Sequence, residues 1–357
     1  MEETQQVGEK RPGFFRRVYE KKYKTLLIIP FLLLILAIGQ ISYQVMTTGD
    51  LFDKSVDLKG GVILEINKPS DSLALENFLR DKYPENDINV RITGQRTVVE
   101  ADIDPDDESK LISTIETKLG ELTRDDYSST IMGPSLGESF FQETFSALII
   151  AFFFMGMIVF WYFSTGLKEK LLVVVVSIVL ISLVISNKGG SLPITIISVI
   201  LAVFLFYLYI KYSMPSFAVI LSAFSDIVVT LAIVNLLGIK LGTAGIAAFL
   251  MLIGYSVDTD ILLSTKVLKR KVGTIYERVT GAMKTGLTMS ATTLIAIAIA
   301  LSLILSLDIK QIMTIVIIGL CIDLINTWIQ NAGLLRWYIE RKSRPKKIER
   351  GPENVQV

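Results

Sequence analysis

No histidine occurs in this sequence of 357 residues, which excludes imidazole metal ligation, histidine triads and histidine proton relays. Cysteine is nearly as scarce. The single Cys321 lies inside an apolar run, so neither an internal disulfide nor a paired-cysteine redox or zinc motif can be built, and no metal site is expected. Charged residues fill 20% of positions and balance to a net +1, leaving no global field to attract nucleic acid or an anionic substrate. Neither a Walker-type phosphate loop nor a dinucleotide fingerprint after a strand is present, so nucleotide hydrolysis has no visible site and no cofactor is implied. Titratable chemistry must therefore use carboxylates, lysines or water. Energy, if used, is expected from an ion gradient across a membrane, and the chain is not expected to be an enzyme.

Apolar residues are what the sequence has in excess, at 51% with a mean hydropathy of +0.52. Such a chain needs lipid as part of its solvent. Apolar stretches near the length that spans a hydrocarbon core lie at about 25–46, 144–164, 171–187, 191–210, 216–237, 243–264, 287–306 and 311–335. The first runs too long for a signal peptide and ends in Tyr43–Gln44–Val45–Met46 with no small-residue cleavage site, so it is expected to stay as an anchor.

Lysine and arginine near the span ends set the expected orientation. The leader carries Lys10, Arg11, Arg16, Arg17, Lys21, Lys22 and Lys24, which places it inside. With eight spans the inside loops hold Lys168–Lys170, Lys211 and the 266–284 segment, and the inside tail holds Arg341, Arg344, Lys346, Lys347 and Arg350. The outside loops hold only Lys188, Lys240 and Lys310. Both termini are thus expected in the cytoplasm of a multi-pass cell-membrane protein. The expected divisions are a basic leader over 1–24, a first span over 25–47, an exterior domain over 48–143, a helix bundle over 144–336 and a basic tail over 337–357.

Residues 48–143 change character to charged and alternating sequence with Pro and Gly punctuation. A strand is expected at 60–67, a helix from Ser70 to Tyr83, and a hairpin of strands at 87–93 and 97–103 turning at Thr93–Gly94–Gln95–Arg96. Asp104–Pro105–Asp106 then caps a helix to Leu119, and a last strand follows near 126–132. This β-α-β-β-α-β order is ferredoxin-like. The fold class expected is a polytopic α-helical membrane protein of about eight transmembrane helices, with one α+β ferredoxin-like exterior domain inserted between the first two.

Four carboxylates fall inside spans: Asp226, Asp258, Asp260 and Asp323. A charge at the bilayer centre costs about 2.5–3.5 kcal/mol on insertion scales, so such groups face a bundle interior and mark ion pathways. The plainer alternative is that each bonds a neighbouring helix through Ser, Thr or Asn. The stretch Lys284–Thr285–Gly286–Leu287–Thr288–Met289–Ser290–Ala291–Thr292–Thr293 is dense in hydroxyls for lipid-facing surface. Lys284, Thr285, Thr288, Ser290 and Thr292 are accordingly candidates to line an ion path, or to glue helices together.

Several segments resemble the SecF family, membrane subunits that pair with SecD as accessories of the Sec channel within the resistance-nodulation-division superfamily. The residues that carry the resemblance are Asp57–Leu58–Lys59–Gly60–Gly61, Gly133–Pro134–Ser135–Leu136–Gly137, Ser225–Asp226, Gly254–Tyr255–Ser256–Val257–Asp258–Thr259–Asp260 and Ser290–Ala291–Thr292–Thr293–Leu294. Asp258 matches the acid of SecD, Thr259 occupies the position of the bacterial SecF acid, and Thr285 stands at the family's basic position beside Lys284. The family usually has six spans, so about 165–190 resembles an added helical hairpin of archaeal-type members. The resemblance implies SecD, the Sec channel, a translocating polypeptide and membrane lipid as partners, with Asp258, Asp260, Asp226 and Asp323 as an ion relay driven by the proton motive force or another ion gradient in late protein export. The competing expectation is a structural subunit that stabilises SecD and the channel without ion chemistry of its own. A small-molecule exporter of the superfamily is disfavoured, because this chain is one half of such an assembly.

Overall fold

In a computed structural model the described residues are 22–187, 191–269 and 272–343. The leader basics before Lys22, Lys188, and the tail beyond Ser343 lie outside them. Eight helices among the described residues are long and apolar enough to cross a membrane. The first, α1, is Ile28–Thr48, entered through a short turn at Tyr23–Leu26.

The inserted domain follows as β1 (Gly61–Ile66), α2 (Ser72–Lys82), β2 (Ile88–Thr93), β3 (Arg96–Ala101), α3 (Glu108–Leu119) and β4 (Tyr127–Met132). Asp71 caps α2 by accepting the Ala74 N–H at 3.1 Å, and Asp104 accepts from Asp106 N–H ahead of α3. The sheet order is β2-β3-β1-β4 with every neighbouring pair antiparallel, which is the ferredoxin-like arrangement. Alternation puts Val62, Leu64, Ile66, Val90 and Val99 on the face covered by α2 and α3, where Leu75, Leu79, Leu111 and Ile115 complete a buried core. The other face carries Glu65, Arg91 and Glu100 and is left open by both helices.

The bundle continues as α4 (Pro134–Phe163), α5 (Leu167–Ser186), α6 (Leu192–Tyr212), α7 (Met214–Leu236), α8 (Thr243–Lys269), α9 (Ile275–Leu303) and α10 (Leu307–Ile325). A π-helical stretch, Asn326–Asn331, joins α10 to α11 (Ala332–Ser343). The helix α4 begins at Pro134, well before its apolar run at 144, and its first turns carry Glu138, Gln142 and Glu143. More than half of the apolar length of α7 and of α8 is buried, whereas α1, α4, α5, α6 and α9 are buried over less than a quarter. The centre is therefore α7, α8 and α10. At the edge α5 and α6 form a hairpin held on α4 and α7 by Phe160, Val173, Leu180, Leu205, Tyr209 and Ile220.

Both ends of the inserted domain are clasped to one end of this bundle. Leu241 N–H donates to Asp53 C=O at 2.7 Å and Ser55 N–H to Leu241 C=O at 2.8 Å. Asp57 Oδ2 accepts the Thr243 N–H at 2.6 Å and its hydroxyl at 2.8 Å, capping α8 from the domain side. Gly60 at φ 97° lies against Pro134, where a Cβ would stand 2.6 Å from the Pro134 Cα, and Gly137 closes on the backbone of Lys59 and Gly60. The Asp57–Gly61 and Gly133–Gly137 motifs thus meet each other. Lys240 adds an ion pair to Asp87 at 2.7 Å, with Lys59 on the same carboxylate at 3.3 Å. Burial pushes the Asp87 carboxyl upward, but the two ammonium groups outweigh it and hold it below the usual carboxylate range.

Candidate functional site

The centre of the bundle is built from the polar faces of α7, α8 and α10. On α8 the residues Ser256, Asp260 and Ser264 recur at a spacing of four and so share one side, all fully buried. On α7 the neighbours Ser225 and Asp226 are fully buried, as is Asp323 on α10. The π-helical stretch that follows carries Asn326, Thr327, Gln330 and Asn331, all of them buried.

These groups hydrogen-bond across helices. Ser256 donates to Asp226 Oδ2 at 2.5 Å, and Asn326 Nδ2 donates to the other oxygen of Asp226 at 2.8 Å. Asp260 Oδ1 accepts from Asn331 Nδ2 at 2.7 Å. The hydroxyl of Thr327 stands between two carboxyls, 2.9 Å from Asp260 Oδ1 and 2.8 Å from Asp323 Oδ1. Gln330 Nε2 reaches Ser225 at 3.1 Å.

Two features of this geometry constrain its charge. A threonine hydroxyl has one hydrogen and cannot donate fully to two carboxylates at once, so the bridge is complete only when one carboxyl carries a proton and donates to Thr327 in return. Among the described residues no lysine or arginine ion-pairs with any of these aspartates. Three full negative charges buried in this space would each bear a desolvation cost of several kcal/mol with no countercharge. Asp260 Oδ2 and Asp323 Oδ2 are buried without a hydrogen-bond partner among the described residues, so the cluster keeps unused acceptor capacity. Chemically the arrangement is a set of carboxyl positions whose bonding pattern changes with every proton gained or lost.

Of the residues singled out from the sequence, the structure joins Asp226, Asp260 and Asp323 and sets the others apart. Asp258 is exposed on the opposite side of α8 from Asp260. Lys284, Thr285, Thr288 and Thr292 are exposed along α9, and Ser290 is buried. Thr288 and Thr292 donate to carbonyls of their own helix, at Lys284 and Met289. Among the described residues, Thr285 alone of these gains a partner from another helix, accepting from Lys266 Nζ at 2.8 Å. Ser256 stood out in the sequence only as a member of the Gly254–Asp260 motif, and Asn326, Thr327, Gln330 and Asn331 were not singled out, although four uncharged polar residues within six at 326–331 are a visible anomaly in an apolar run.

The comparisons with known proteins agree with this architecture. A family model described as "Protein export membrane protein SecD/SecF, C-terminal" matches residues 175–341. The protein-export membrane protein SecF of Methanothermobacter thermautotrophicus is 34% identical over 332 residues, covering 90% of this chain and 95% of that one. SecF of Methanocaldococcus jannaschii is 34% identical over 341 residues, covering 92% and 99%. Among solved structures, that of SecDF from Thermus thermophilus, a translocon-associated membrane protein, aligns with a TM-score of 0.58 at 17% identity. It covers 93% of this chain, and this chain spans 39% of its length. Identity near one third along almost the whole of two archaeal relatives, with the eight spans and the inserted ferredoxin-like domain, shows that the chain belongs to the SecF family of protein-export membrane proteins.

Proposed function

We propose that this chain acts with a SecD partner beside the Sec channel and couples the ion gradient to late steps of protein export. Protons on the Asp226, Asp260 and Asp323 cluster set the packing of α7, α8 and α10. The inserted domain, placed outside, moves with those helices and pulls or releases the translocating polypeptide. The observation that carries this reading is that α8 holds Asp260 within the cluster and, at its far end, is capped by Asp57 of the segment that opens the inserted domain. A change in how Asp260 is bonded is thereby delivered to the domain along one stiff helix.

Orientation is supported by the basic residues at span ends away from the inserted domain: Lys24, Lys168, Lys170, Lys211, Lys266, Lys269 and Lys342. By the positive-inside rule that end is cytoplasmic, with both termini. The exposed Asp258 and the exposed hydroxyls of α9 suit a second membrane subunit better than lipid, and the 39% share of a SecDF chain fits a partner that supplies the remainder.

The test is export into sealed vesicles carrying the complete translocation complex, with Asp260→Asn or Asp323→Asn in this chain. Late export in either variant is expected to lose its dependence on the gradient while SecD still co-purifies. A second reading, a scaffold that leaves ion chemistry to its partner, is favoured by the absence of an ion-paired cation at the cluster among the described residues. It predicts full gradient-dependent export in both variants.

A further inference from the structure

A cleft of about 490 Å³ lies between the open face of the sheet and the domain-side ends of α8 and α10. Glu65, Arg91, Arg96 and Glu100 line it from the sheet. Thr243 lines it at the start of α8, and Ser306 and Asp308 do so at the start of α10. The volume is that of a site for a small ligand or a few residues of peptide.

The charges in this cleft do not balance. Its lining holds four carboxylates, Asp57, Glu65, Glu100 and Asp308, against two guanidiniums, Arg91 and Arg96. Both arginines are already engaged, Arg91 with Glu100 and Arg96 with Glu65 at 3.3 Å, and Asp57 is engaged with Thr243. Two acceptors are left over. Asp308 has no hydrogen-bond or ion-pair partner among the described residues. Glu100 is only 5% exposed, and its Oε2 has no partner although the residue lines the cleft. A buried carboxylate oxygen without a donor is costly, so a guest that brings a positive charge is stabilised here.

Donors are also available. Ser306 precedes α10 without a side-chain cap bond, so among the described residues no side chain caps the first-turn N–H groups of α10, which can meet a carbonyl. A guest that supplies carbonyls and a cation together is an extended polypeptide with a basic side chain, whereas a free polyamine would answer only the carboxylates. We propose that this cleft is a docking site for an extended segment of polypeptide carrying a lysine or arginine, with that side chain directed to Asp308 and Glu100. The identity of the guest rests on the export role proposed above. The two helices that form the cleft's lower wall carry Asp260 and Asp323, about 20–25 Å along the helix axes. A relative shift of α8 and α10 therefore changes the cleft's width.

Binding is testable on the full chain in detergent, where no gradient exists. Short fluorescein-labelled peptides alternating lysine and serine are compared by fluorescence anisotropy with matched glutamate–serine peptides. The lysine peptide is expected to bind about tenfold more tightly, and Asp308→Asn or Glu100→Gln to remove most of that difference. Asp106→Asn, an exposed acid elsewhere on the domain, should leave it unchanged. Equal binding of the two peptides overturns the proposal, as does an equal loss in the Asp106 variant, which would mean general surface attraction. Intact binding with gradient-independent export in the Asp260 variant would leave both proposals standing. Intact binding with unchanged gradient dependence there would remove the coupling reading alone.

Discussion

Asp57 and Thr243 are 186 residues apart in sequence, yet one carboxylate oxygen of Asp57 accepts both the backbone N–H and the hydroxyl of Thr243, at 2.6 and 2.8 Å. The first turn of α8 is thus completed by the inserted domain and not by its own preceding residue. Replacing Asp57 with Ala is expected to cost about 1–2 kcal/mol, the usual loss of a helix cap, and Asp57→Ser is expected to restore part of it. Thermal unfolding of the full chain in detergent reads the stability. Gradient-dependent export should fall further in Asp57→Ala than its loss of folded protein explains.

The glycines at the clasp predict a sharper effect. A Cβ at Gly137 would stand 2.7 Å from the backbone N of Gly60 and 2.9 Å from the carbonyl carbon of Lys59, and backbone on both sides leaves nothing flexible to move aside. Gly137→Ala is expected to destabilise the domain–bundle contact by about 1–3 kcal/mol. Gly39 in α1 has open space around it, so Gly39→Ala should be near neutral in the same unfolding assay.

Asp87 makes a prediction about pH. Its carboxyl is held below its ordinary value by Lys240 and Lys59, so the contact it makes stabilises the fold above the unfolded carboxylate value of about 3.9. That contribution is lost as pH falls through the folded value. The pair is partly exposed, so its worth is below about 1 kcal/mol. Asp87→Asn should therefore lower the unfolding temperature slightly at neutral pH, and the gap to the unaltered protein should close in strong acid.

Within the acid cluster, Thr327→Val removes the hydroxyl shared by Asp260 and Asp323 while nearly keeping its volume. Two carboxyls then lose their common partner, and the cost expected is about 1–3 kcal/mol. Thr327→Ser, which keeps the hydroxyl, should retain most of the stability. Export in the two variants should rank in the same order.

Much of the fold was legible because lipid imposes length on spans and a sheet imposes alternation on strands. The apolar stretches locate the eight helices among the described residues that are long and apolar enough to cross a membrane, and the β-α-β-β-α-β order emerges from punctuation at Pro84, Gly94 and Pro105. The site was legible in part. Asp226, Asp260 and Asp323 declare themselves as acids in apolar sequence, but Asp258 does so equally. Two positions along a helix differ by about 200°, so Asp258 and Asp260 face opposite ways, and the motif alone does not say which way is in. The spacing of Ser256, Asp260 and Ser264 would have settled it. The π-helical stretch left no periodic trace, since it departs from the helical repeat for only six residues.

The proposed export role depends on protons held by the buried cluster and on their response to the gradient. Infrared difference spectroscopy of the full chain with the proposed SecD partner, with and without an imposed gradient, observes protonated carboxyl stretches directly. That role requires a band that changes with the gradient and disappears in Asp260→Asn but persists in Asp258→Asn. A spectrum in which no carboxyl responds to the gradient, or in which only Asp258→Asn abolishes the response, would contradict it.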